Sequence, residues 1–189
     1  NNIARLNVDG SLDTSFTIGT GADWYINSVK IQSDNKILIG GGFSNYNDIS
    51  RNYIARLHSD GSLDVDFNTG AGADSDVVTM AVQDDGKIII GGYFTNYDET
   101  SRNYIARLNS DGSLDTDFVV GSAANSEVFS LTLQEDNRVI IGGSFTSYNG
   151  IPVNRLARLN SDGSLDTNFT VGSGANGQIN TLLIQSNGK

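Results

Sequence analysis

Three features of the 189-residue chain predict an all-β fold. A unit of 51 residues recurs without insertion or deletion: IARLNVDGSLDTSF begins at Ile3, IARLHSDGSLDVDF at Ile54, IARLNSDGSLDTDF at Ile105 and LARLNSDGSLDTNF at Leu156. Within each unit, short apolar runs are separated by Gly-, Asp- and Ser-rich turn sequences, the mark of strands rather than helices. No window carries an apolar period of 3.6, so essentially no helix is expected. The composition agrees, with 38% apolar residues, 22 Gly and a single Pro.

One unit reads as four antiparallel strands. The first lies near Val128–Gln134, where Phe129, Leu131 and Leu133 alternate with Ser130 and Thr132, the period of a half-buried strand. The second, Arg138–Phe145, is apolar without alternation, which suits a strand covered on both faces. The third spans Asn154–Asn160 and the fourth lies near Leu165–Val171. A single four-stranded sheet cannot bury both its faces, whereas blades packed on one another can. Residues 1–189 are therefore expected to form one repeat domain, a β-propeller of 51-residue blades with about 3.7 repeats present. An open, solenoid-like β array is the alternative.

The combination of RLNSDGSLDT with an IGGxF strand resembles the delta-60 repeat, a family of bacterial tandem-repeat proteins. That resemblance covers nearly the whole chain and implies a propeller-like fold in an extracellular or cell-surface module. It implies no enzymatic activity. His58 in the second copy, QEDNR at Gln134–Arg138 and the incomplete last copy depart from the pattern. Four full units of 51 need 204 residues, 15 more than are present. The chain opens on a third strand at Ile3–Asn7 and ends after a first strand at Ile179–Gln185, with Lys189 expected to start a second. The expectation is a longer repeat array; the alternative is an unpaired edge completed by another molecule through strand addition.

Charge and composition exclude several function classes. With 12 basic and 22 acidic residues the net charge is −10, so neither nucleic acid nor an anionic membrane surface is an expected partner. Without cysteine there is no disulfide framework and no thiolate nucleophile or ligand. No apolar run approaches the roughly 20 residues of a membrane-spanning helix. His58, the only histidine, lies in no catalytic signature, and no HExxH, nucleophile elbow or P-loop is present. A non-enzymatic protein is expected.

The repeated NSDGSLDT turn poses a choice between metal site and hairpin. Aligned through Gly112, an EF-hand pattern places Asn109, Asp111 and Asp115 at ligand positions, but its two ends fall on Arg107 and Phe118. Calcium is thus the one cofactor the pattern admits. A glycine-bearing turn explains the same residues completely. On that reading Asp64, Asp115 and Asp166 form structural ion pairs with Arg56, Arg107 and Arg158. The Gly pairs of GGxF suit close backbone approach between inner strands.

Strand topology assigns the turns to two rims. One rim carries the short acidic turns with Asp9, Asp34, Asp60, Asp85, Asp111, Asp136 and Asp162. The other carries longer loops bearing Tyr46, Tyr97 and Tyr148. It also carries Trp24 and Tyr25, which break the repeat where other copies have Ser75–Asp76, Ser126–Glu127 and Gly177–Gln178. Those five aromatics are the candidate ligand-binding residues, for a glycan or a protein surface. Trp24 as a cap on the array, and the chain as a self-associating structural element, are the alternatives.

Overall fold

The structure is a computed structural model and describes residues 2–185 and 187–188. Lys189, expected to open a further strand, lies outside the described residues. Fifteen strands fall into three equivalent units. The first contains β1 (Ile26–Ile31), β2 (Ile37–Gly41), β3 (Asn45–Tyr46), β4 (Ile49–Ser50) and β5 (Ile54–Leu57). The second contains β6 (Val77–Val82), β7 (Ile88–Gly92), β8 (Asn96–Tyr97), β9 (Thr100–Ser101) and β10 (Ile105–Leu108). The third contains β11 (Val128–Leu133), β12 (Val139–Gly143), β13 (Ser147–Tyr148), β14 (Ile151–Pro152) and β15 (Leu156–Leu159). There is no helix among the described residues.

Each unit is an antiparallel meander, ordered β1-β2-β5, β6-β7-β10 and β11-β12-β15. Antiparallel ladders within every unit set aside a solenoid of parallel coils. The middle strands β2 and β7 are buried along their whole length, as their unbroken apolar sequences require. Successive sheets pack inner strand against inner strand, β1 on β6 and β6 on β11. Their cores interlock: Leu38 of the first unit belongs to the second unit's core, and Ile89 of the second to the third's. These are propeller blades stacked in sequence order.

Three expectations need correction. The fourth strand near Leu165–Val171 shrinks to a single bridge, Leu159 to Leu165, repeated as Leu57–Leu63 and Leu108–Leu114. Beyond it the backbone pairs with the next unit's turn rather than its own sheet, Asn68 N–H donating to Asp111 O at 2.7 Å. Secondly, Ile3–Asn7 holds only a bridge from Leu6 to Leu12. Thirdly, Ile179–Gln185 forms no strand, since no second strand lies beside it among the described residues. It is bound to the third unit instead, Ile179 N–H donating to Gly143 O at 3.1 Å and Leu182 N–H to Ser130 Oγ at 2.9 Å. The short hairpins β3–β4, β8–β9 and β13–β14 were not expected.

The close stacking of inner strands explains the first glycine of each GGxF. A Cβ on Gly91 would lie 2.9 Å from Val128 Cγ1 of the next blade and 2.9 Å from Thr79 Cγ2. Gly91→Ala is expected to destabilise the chain by about 1–3 kcal/mol through overpacking. In a urea double-mutant cycle with Val128→Ala, the pair should cost less than the two single changes together. Strict additivity would show that blades do not meet at this glycine.

Candidate functional site

Three consecutive carbonyls of the second unit's turn are all occupied by protein donors. Arg56 Nη1 of the preceding unit donates to Ser110 O at 2.5 Å, Asn68 N–H to Asp111 O, and Tyr97 Oη of the same unit to Gly112 O at 2.9 Å. Gly112 adopts φ +94°, and its open Cβ side is filled by the Phe67 ring, 2.8 Å from where a Cβ would sit. The third unit repeats the scheme, with Arg107 on Ser161 O at 2.5 Å and Tyr148 on Gly163 O at 2.9 Å.

The proposed calcium ligands do not converge. Asp111 Oδ1 accepts from Ser113 N–H at 2.9 Å and Ser113 Oγ at 2.6 Å, an Asx turn. Asn109 donates its amide to Ser113 Oγ at 3.0 Å. Asp115 Oδ2 is held by Arg107 Nε at 2.7 Å and Lys87 Nζ at 2.8 Å. Asn109, Asp111 and Asp115 therefore build a turn and an ion pair, and no group of three acidic, His or Cys residues suited to a metal occurs among the described residues.

The arginine–aspartate pairs recur at one geometry. Arg56–Asp64 and Arg107–Asp115 meet at 2.7 Å and Arg158–Asp166 at 2.8 Å, through Nε and Oδ2. The guanidinium also stacks on a ring of its own unit, Arg56 over Phe67 at 4.6 Å and Arg107 over Phe118 at 4.7 Å. Burial alone would raise the Asp64 carboxyl, but hydrogen bonds from Lys36 and Arg56 outweigh it and hold the group at about 2. His58 lies 4.0 Å from the same carboxylate.

Tyr46, Tyr97 and Tyr148 are fully buried and unavailable to a ligand, a second correction to the expected site. Each projects from a short hairpin and spends its hydroxyl on a turn carbonyl, which a loop position in sequence does not disclose. Burial raises all three phenols, Tyr46 to about 12 and the other two further.

Trp24 and Tyr25 are exposed, at 60% and 44%, with ring centroids 6.0 Å apart. They are not alone. Tyr25 Oη donates to Asp76 Oδ2 of the next unit at 2.5 Å, and this bond raises the phenol's pKa. Asp76 O accepts from Tyr93 N–H at 2.9 Å, and the Tyr93 ring lies 5.6 Å from that of Phe129 in the third unit. Tyr93 is itself 45% exposed. The four aromatics and Asp76 thus form one row across three units. Between the first two units it borders an open cleft of about 620 Å³, lined by Tyr25, Asn27, Ser75, Asp76, Val78 and Tyr93.

Position in the repeat explains how these residues meet. Asn27, Val78 and Phe129 occupy equivalent sites, and at each the ladder register shifts between the flanking residues (Ile26/Ser28, Val77/Thr79 and Val128/Ser130). Such a bulge redirects a side chain at the end of a strand. Tyr93 fills the x of GGxF, where the other copies carry Gly42 and Ser144. Sequence reasoning missed Asp76, Tyr93 and Phe129, although variation at that x was the available signal.

A family model described as a domain of unknown function (DUF5122) beta-propeller matches residues 1–16, 32–67, 83–118 and 134–169. The chain belongs to this family. No curated protein matches it. The intervals between matched segments, 17–31, 68–82 and 119–133, contain Trp24, Tyr25, Asp76 and Phe129. The family pattern thus covers the turns, the middle and third strands and their ion pairs, while most of the aromatic row lies in the segments between.

Asp64 ties stability to pH. Its carboxyl is depressed below the unfolded value of about 3.9, so the stabilisation is complete above that pH and is lost as pH falls toward about 2. Asp64→Asn should cost about 3 kcal/mol at neutral pH by leaving Arg56 and Lys36 without their counter-charge. It should also reduce the wild-type loss of urea stability between those two pH values. An acid profile identical to wild type would contradict this assignment.

Proposed function

We propose that this chain is a non-enzymatic glycan-binding module of a secreted or cell-surface repeat protein, of the delta-60 type suggested by its turn sequence. The observation that carries the reading is the aromatic row, Trp24, Tyr25, Tyr93 and Phe129, at positions where the repeat varies. Exposed aromatic rings supply apolar faces for sugar rings at little conformational cost. Asp76, Asn27 and Ser75 supply hydrogen-bonding groups beside them, as an open polar site for hydroxylated ligands needs. An adhesive role follows if the glycan is displayed on another surface.

A second reading has its own support. On the outer face of the first blade Val29 is 46% exposed where its equivalents Met80 and Leu131 are buried against the preceding blade, and Ile31 is 71% exposed where Val82 and Leu133 are partly buried. Another copy of the unit fits that face, which makes the chain a self-associating structural element. The two readings use different surfaces and are compatible.

Binding of wild type and Trp24→Ser to a glycan panel tests the first reading. Serine stands at this position in the second and third copies, so the fold should be kept. Wild type should retain at least one glycan. Loss of a central aromatic contact, about 2 kcal/mol, should weaken it about thirtyfold with an unchanged thermal midpoint. Unaltered binding, or none by wild type, contradicts the assignment. Sedimentation of the same two proteins reads the second surface: an oligomer that persists in the variant supports association through Val29 and Ile31, and a monomer in both excludes it.

A further inference from the structure

We propose that the cleft between the first two blades recognises its glycan through a protonated amine: an amino-sugar unit whose ammonium is held by Asp76 against the rings of Tyr25 and Tyr93. This deepens the glycan reading and rests on it. Three observations support a cationic group.

The cleft lining contains one ionisable acid, Asp76, and neither lysine nor arginine. Its only charge is therefore negative, in a chain of net charge −10. An acidic sugar would be repelled there, and a cation attracted.

Asp76 is also only half used. Its Oδ2 accepts the Tyr25 hydroxyl at 2.5 Å, while no described residue donates to Oδ1. The Tyr25 hydrogen bond fixes the carboxylate at the cleft wall and leaves the second oxygen as an acceptor. An ammonium carries three donors and no acceptor, the complement of that oxygen.

Two tyrosines line the same cleft, Tyr25 bound to the carboxylate through its hydroxyl and Tyr93 joined to Asp76 through the backbone. Aromatic rings attract cations electrostatically, and a site combining rings with a carboxylate is built for substituted or free ammonium groups. N-acetylation removes the charge, and with it both attractions. The arrangement is partly repeated one blade on, where Glu127 stands at the position of Asp76, accepts from Ser126 Oγ at 2.5 Å, and adjoins Phe129 in sequence two residues away. A glycan with amines on successive units would meet a second carboxylate there.

Titration calorimetry of the full chain, in mildly acidic buffer, separates the possibilities. The probes are β-1,4-linked trimers of glucosamine, N-acetylglucosamine and glucose. Wild type should bind the glucosamine trimer about tenfold or more above the other two, the scale of a cation–π contact joined to a charge pair. Asp76→Asn, close in shape, should erase that preference. Tyr93→Ser, the residue of the third copy, should weaken all binding. Asp34→Asn removes the same charge from the opposite rim and should change nothing.

Equal affinity for the three trimers in wild type overturns the amine assignment and leaves the glycan reading standing. A preference that survives Asp76→Asn, or falls equally in Asp34→Asn, also overturns it, because it then reflects overall charge. Binding of no trimer overturns it too, and the glycan panel then decides the parent reading separately.

Discussion

The structure depends on one clasp, repeated from blade to blade: an arginine that is simultaneously paired within its own unit and bonded to the next. Arg56 is held by Asp64, lies over Phe67 and donates to the carbonyl of Ser110 in the following turn. Phe67 in turn fills the space beside Gly112, and Asn68 binds Asp111. A buried guanidinium is costly unless its donors are satisfied and its charge is opposed. Here both conditions are met only when two adjacent turns are in register. The clasp therefore specifies spacing as well as adding stability, which accounts for a repeat of 51 residues without a single insertion.

That constraint divides the repeat into two kinds of position. Arg and Phe at the turn end reach the next blade's turn, where Gly leaves room for the ring, while Asp and Tyr hold the arginine and the turn of their own unit, so a change in the first set is felt in two blades. At the opposite end of the inner strands, side chains such as Trp24, Asp76 and Phe129 bear on no clasp and can differ between copies. The bulge near the start of each inner strand places those free positions beside one another. A ligand surface assembled from three blades can thus vary without disturbing the array.

Much of the fold was legible because the repeat supplies the same information several times. The unbroken apolar run within Arg138–Phe145 marked a strand covered on both faces, and the recurrence of Arg107 and Asp115 in every unit suggested their pairing. The fourth strand was misread because Leu165 does bridge to its sheet, but the residues after it follow the next turn. Tyr148 looked like a rim residue because loop membership says nothing about where a ring points. The row joining Tyr25, Asp76 and Tyr93 was hidden for a different reason. Tyr25 and Asp76, 51 residues apart, meet only through blade stacking, and Asp76 meets Tyr93, 17 residues on, at the end of the β6–β7 ladder, where no local pattern shows the contact.

Amide hydrogen exchange on Arg107→Gln tests the central claim most directly. In the wild type, Val119 N–H donates to Asp162 O at 2.7 Å and Gly163 N–H to Asn160 O at 3.0 Å. If the arginine clasp couples blades, losing it should speed exchange at both Val119 and Gly163, on two different units, while Leu38 and Ile39 of the first blade's middle strand, paired on both sides, stay protected as before. Faster exchange confined to the second unit, with Gly163 unchanged, would show that each blade holds its own turn and would contradict the account.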